Sequence, residues 1–109
     1  MTEHKELAAG RWQELPLVEQ MANIGSEVER ALNWKFKKNP VYQQKAYERA
    51  LELLDLTLEG AVPFSRLKEI ARVREALVDY FDGSNDFMSS ENSWKKYFSH
   101  FTYAARRDY

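Results

Sequence analysis

The chain has no cysteine, only 2 histidines, 3 prolines and 4 glycines in 109 residues, and a formal net charge of -1. Without cysteine there is no disulfide, no thiol nucleophile, no iron–sulfur cluster and no thiolate zinc site, which fits a reducing compartment. A balanced charge supplies no global field towards nucleic acid or an anionic membrane. No apolar run approaches the roughly 20 residues needed to cross a bilayer. The opening stretch Met1-Thr-Glu-His-Lys-Glu-Leu7 lacks the basic-then-apolar order of a signal peptide. The expectation is a cytoplasmic domain without membrane association.

Scarce histidine also bounds the chemistry. Metal-binding helical bundles repeat Glu-x-x-His on paired helices, and that motif does not occur here. The arginine-then-histidine signature of small helical ribonucleases is missing around His4 and His100, and no glycines form a phosphate-cradling loop. The reading assigns no catalytic residue, no metal ligand and no cofactor.

What is present points to helix throughout: strings of Glu, Lys, Arg, Leu and Ala with few breakers. The first long helix begins near Pro16 and runs to about Lys38, with Leu17, Met21, Ile24, Val28, Ala31 and Leu32 as its apolar stripe. Gly25 borders that stripe, where a close neighbouring helix compensates for its low helix propensity. Asn39-Pro40 caps and starts the next helix, Val41 to Glu59. Its flank carries Glu48, Glu52, Asp55 and Glu59, read as a solvated face, and Leu56 falls on the opposite side from the stripe. Gly60-Ala-Val-Pro63 breaks the chain before a helix from Phe64 to Phe81. Asp82-Gly83-Ser84-Asn85-Asp86 is a loop; Ser89 or Ser90 caps a final helix to Arg107, with Phe87 or Met88 as its hydrophobic staple. Trp94, Tyr97, Phe98 and Phe101 form an aromatic core face. Short connections between long helices predict an all-α, up-down-up-down antiparallel four-helix bundle over 16–109. Residues 1–15 form a leader, frayed or a short helix, with Leu7, Trp12 and Leu15 as its packing residues.

One residue breaks the apolar pattern. Arg74 sits amid Leu67, Ile70, Ala71, Leu77, Val78 and Phe81 when the helix is projected end on. A guanidinium there needs a carboxylate, since burying an isolated charge is prohibitive. Glu27 is the first expected partner and Asp55 the second, in a buried or half-buried pair that fixes helix register.

Two further features concern binding. Lys35, Lys37 and Lys38 surround Trp34 and Phe36, and the outer face of the last helix combines Lys95, Lys96, Tyr103, Arg106 and Arg107. Rings beside cations suit single-stranded nucleic acid, while cations in a last turn also complement the helix dipole. The chain is rich in aromatics, with 3 Trp, 6 Tyr and 6 Phe. Trp12, Trp34, Phe36, Tyr42 and Leu56 lie at edges or outside the predicted stripes and form a candidate homo-oligomer interface, a dimer being favoured.

The segments Asn23-Ile-Gly-Ser-Glu-Val28, Arg49-Ala-Leu-Glu-Leu-Leu-Asp-Leu-Thr57 and Arg66 to Phe81 resemble a family of small prokaryotic helical proteins of uncharacterised activity, over most of residues 12–107. In architecture the chain is similar to bacterial four-helix proteins of the ribosomal intervening-sequence (S23-like) type, some of which form rings and bind nucleic acid. The resulting expectation is a non-enzymatic, oligomeric bundle that binds another macromolecule, a protein first. The alternative is an RNA- or DNA-binding accessory bundle.

Overall fold

A computed structural model describes the backbone of residues 5–60 and 62–107 and, from Gly10 onward, their side chains. His4 and the side chain of Leu7 lie outside the described residues. The elements are α1 (Lys5–Glu14), α2 (Leu17–Phe36), α3 (Pro40–Glu59), α4 (Phe64–Asp82) and α5 (Glu91–Arg107), with no strand among the described residues. Among those residues no helix is long and apolar enough to cross a membrane.

The punctuation follows local chemistry. Pro16 is the extended cap before α2 rather than its first helical residue, and its carbonyl accepts from the Glu19 and Gln20 amides. Asn39 Oδ1 accepts from the Tyr42 amide at 3.1 Å, with Pro40 in the first turn of α3. The reversal between α2 and α3 is tight: Lys38 takes a left-handed φ of 60°, and the Asn39 amide donates to the Trp34 carbonyl. Ser90 caps α5 reciprocally with Ser93, each hydroxyl accepting from the other's amide at 3.0 and 2.8 Å. Two hydroxyls thereby satisfy amides that a helix start leaves without partners.

The core joins Met21, Ile24, Val28 and Leu32 of α2 to Ala50 and Leu54 of α3, Ile70, Val73 and Leu77 of α4, and Trp94 and Phe98 of α5. Each large apolar side chain buried there contributes about 1.5–3 kcal/mol. In this arrangement α2 packs on α3 and α5, α3 also packs on α4, and α1 lies on α3. Gly25 marks the close approach of α5: a Cβ at that position would stand 2.8 Å from Phe98 Cβ.

Of its two expected forms the leader takes the short helix, from Lys5, which docks on α3 with Trp12 and Leu15 against the core. Four other expectations need correction. Trp12 is therefore buried, its Nε1 donating to Thr57 Oγ1 at 2.8 Å, while Gln13 Nε2 donates to the Leu56 carbonyl. Leu56 is also buried, because α1 covers the side of α3 that a four-helix projection leaves to solvent. Neither Trp12 nor Leu56 is available to an interface. Phe87 and Met88 form no staple; they stand exposed. Finally, the buried stripe of α4 is Ile70, Val73 and Leu77, so the inward face is rotated towards Val73 and Arg74 falls on its flank.

Candidate functional site

Arg74 reaches sideways from α4 to α3. Its Nε donates to Asp55 Oδ1 at 2.6 Å and its Nη2 to Asp55 Oδ2 at 3.3 Å. The hydrogen bonds it donates to Asp55 raise the guanidinium's ionisation above its ordinary value, against a desolvation effect that lowers it. The side chains remain 36% and 47% exposed, so of the two expected forms the pair is the half-buried one. Glu27 is not its partner. It lies on α2, and α4 packs on α3, so Glu27 instead accepts from Arg30 on its own helix at 2.8 Å. Together these residues make a helix-pairing clamp.

The α2–α3 turn gathers a different set. The Trp34 and Tyr42 rings meet at 4.9 Å between centroids. Lys37 Nζ sits 5.1 Å over Trp34, Lys45 Nζ 5.6 Å over Tyr42 and Lys35 Nζ 4.2 Å over Tyr80 of α4. Such cation–ring contacts contribute about 0.5–1 kcal/mol each at exposed sites. Beyond them Phe36 is 81% and Val41 61% exposed. Every charged residue from 31 to 47 is a lysine. Carboxylates stand nearby in Asp82 and Glu48, both acting on the buried Tyr47 hydroxyl; burial first, then Asp82, pushes that phenol's ionisation well above its ordinary range.

The last helix does not complete this surface. Gly25 of α2 faces Phe98, and Glu29 lies close enough to Lys95 to favour its charge, so residue numbers fall along α5 as they rise along α2. Tyr103, Arg106 and Arg107, all exposed, therefore belong to the end remote from Lys35, Lys37 and Lys38. At 1.5 Å per helical residue the separation is roughly 25 Å. Lys95 and Lys96 lie between, and Lys95 is held by Glu91 at 2.9 Å, the hydrogen bond that raises its ionisation. The eight-residue basic patch read from the sequence is thus divided in space.

A third feature was not legible beforehand: a cleft of 440 Å³ between α4 and α5, with Val73, Ala76, Phe87, Trp94 and Tyr97 among its lining. Tyr97 donates its hydroxyl proton to Glu69 Oε2 at 2.6 Å across it. The Trp94 Nε1 donor is buried without an acceptor. Above the cleft the 83–90 connection is pinned in place. Both Asp79 carboxylate oxygens accept, from the Asp86 and Phe87 amides at 2.8 and 2.9 Å, and Asn85 bridges to the Ser89 backbone in both directions. Asn85 and Met88 hold positive φ of 59° and 57°. The sequence signals for this were Asp79 and Asn85, polar residues able to satisfy a loop backbone.

Among the described residues no three histidine or acidic side chains converge as metal ligands, and His100 is exposed. No family model matches the chain, and no curated protein or solved structure matches it.

Proposed function

We propose that the protein is a non-enzymatic binding module, cytoplasmic and homo-oligomeric, which recognises another protein through the end formed by the α2–α3 turn. The observation that carries this reading is the exposure of Phe36 and Val41, 81% and 61%, amid charges that are all lysines from 31 to 47. Exposed apolar side chains set among lysines favour an acidic, partly apolar partner surface. The scaffold belongs to the proposal too: an up-down-up-down antiparallel four-helix bundle of α2 to α5, with α1 laid over α3. Tyr47–Phe81 and Asp55–Arg74 support it, since numbers rise along α3 as they fall along α4. The resemblance to small prokaryotic helical proteins stands with this reading as part of the same proposal.

The second reading places single-stranded nucleic acid on the same end, because lysines there alternate with aromatic rings. It ranks second because Lys37 and Lys45 already cover faces of Trp34 and Tyr42, and base stacking needs those faces free. A photo-cross-linking residue at Val41, in cells that make the protein naturally, tests the first reading against the same residue at Glu52 on the acidic flank. A protein adduct of defined mass from position 41 alone is expected. Absence of that adduct, with an RNA adduct in its place, would replace the first reading by the second.

A further inference from the structure

The loop beside the α4–α5 cleft carries apolar side chains that a single chain leaves exposed. Phe87 is 53% and Met88 85% exposed. These are not side chains on a slack loop. Asp79 and Asn85 fix the backbone around them, and Met88 is held at a positive φ that a non-glycine residue adopts only at a cost. Conformational strain spent on holding an apolar side chain in water points to something that takes it out of water.

Charge narrows the choice of occupant. From 82 to 90 the only charged residues are Asp82 and Asp86. The cleft lining carries one carboxylate and one guanidinium: Glu69, engaged by Arg66 and the Tyr97 hydroxyl, and Arg72, which is exposed and without an ion pair among the described residues. Arg72 is thus the cation of the lining left without a carboxylate, it suits an acidic loop bearing apolar side chains, and both belong to this sequence. When knob and hole lie on one surface, a two-fold axis between copies seats each knob in the other's hole, the isologous arrangement that closes a dimer.

We propose that the α4–α5 cleft is a homodimer interface, occupied by Met88 and Phe87 of a second copy of this chain, with Arg72 of each copy facing Asp86 of the other. It rests on the homo-oligomer reading above and names the surface responsible. Met88 covers the Val73, Ala76 and Trp94 floor. The α2–α3 end stays free for its own partner.

The test is solution mass by sedimentation equilibrium at micromolar concentration, with far-UV circular dichroism to confirm helix content. The natural chain is expected to be a dimer, and Met88→Glu to weaken it at least about tenfold, a loss of roughly 1.4 kcal/mol. Arg72→Asp and Asp86→Arg should each dissociate the dimer, because like charges then face one another in both contacts. Mixing those two variants should restore a dimer, since every contact becomes an opposite pair again. Arg72 has no ion pair among the described residues, and Asp86 holds Asp79 through its backbone amide, which the substitution keeps. The Asp86 side chain gives up one exposed hydrogen bond from Ser84 Oγ, so the circular dichroism control applies to that variant above all. A natural chain that is monomeric throughout overturns this proposal together with the homo-oligomer reading. An oligomer that withstands all three substitutions overturns the cleft while leaving the oligomer. Dissociated variants that fail to recombine on mixing overturn the Arg72–Asp86 docking.

Discussion

Arg74 and Asp55 approach to 2.6 Å, but geometry alone does not set what the pair contributes. Side chains exposed to 36% and 47% keep much of their hydration, so water screens the attraction that a buried pair would feel in full. Arg74→Met and Asp55→Ala are each expected to cost about 1 kcal/mol, with a coupling of roughly 0.5–1 kcal/mol in a double-mutant cycle by urea unfolding. A coupling above about 3 kcal/mol would mean a desolvated pair and contradict the exposure described. The need for a carboxylate partner was legible from the chain, but the choice between Glu27 and Asp55 was not. A helical projection gives angles within one helix and says nothing of which neighbour stands beside it. Tyr97 gives a second test at this scale. Burial first, then the Glu69 carboxylate, pushes its phenol's ionisation well above the ordinary 10.0. A phenol whose ionisation is raised on folding contributes stability that is complete below its unfolded value and is lost as pH rises beyond it. Stability should therefore hold from about pH 7 to 9 and decline above about pH 10, and Tyr97→Phe should make the decline shallower. Urea midpoints measured across that range check this. An identical alkaline slope in the Phe variant would assign the decline elsewhere, Tyr47 first.

Gly25 connects sequence to packing at the level of elements. A glycine inside a helix costs about 1 kcal/mol relative to alanine, so Gly25→Ala ought to stabilise α2 taken alone. In the assembled fold the added Cβ would lie 2.8 Å from Phe98 Cβ, an atom fixed to the α5 backbone rather than the movable end of a side chain. Relief needs a shift of α5, and overpacking of this kind costs about 1–3 kcal/mol. The substitution is expected to lower the thermal midpoint by several degrees. A raised midpoint would show that α5 yields freely. Helix ends were legible for a related reason: Asn39 with Pro40, and Ser90 with Ser93, announce their roles through local hydrogen bonding that depends on a few residues only. The packing of α1 was hidden, because Lys5-Glu-Leu-Ala-Ala-Gly-Arg-Trp-Gln-Glu14 carries no continuous apolar stripe and holds on through Trp12 and Gln13. Since α1 gives α3 a second covered side, Leu56 and Leu54 are both buried although they point in different directions. A single-face projection cannot represent such a helix.

For the molecule as a whole, a net charge of -1 conceals a polar division of its basic residues. Lys35, Lys37, Lys38 and Lys45 crowd the α2–α3 end, while Arg106 and Arg107 stand at the other, beyond about two screening lengths at physiological salt. The composition gave the residue types of both patches. Their division required the direction of α5 against α2, which follows from Gly25 meeting Phe98 rather than from any pattern within either helix. A polyanion short enough to touch one end should therefore sense one patch alone. Using a labelled RNA of about ten nucleotides as the probe, Lys37→Glu with Lys38→Glu is expected to remove whatever low-salt binding the natural chain shows. Arg106→Glu with Arg107→Glu should leave it unchanged. Every phosphate deprived of its lysine lowers the dependence of log affinity on log salt by about 0.7 for a single strand, so milder Lys→Ala changes should flatten the slope stepwise. Equal losses from the two ends would mean that the strand runs the length of the molecule. In that case the α2–α3 turn would be one part of a longer nucleic-acid track, and the protein-first reading of its exposed Phe36 and Val41 would give way.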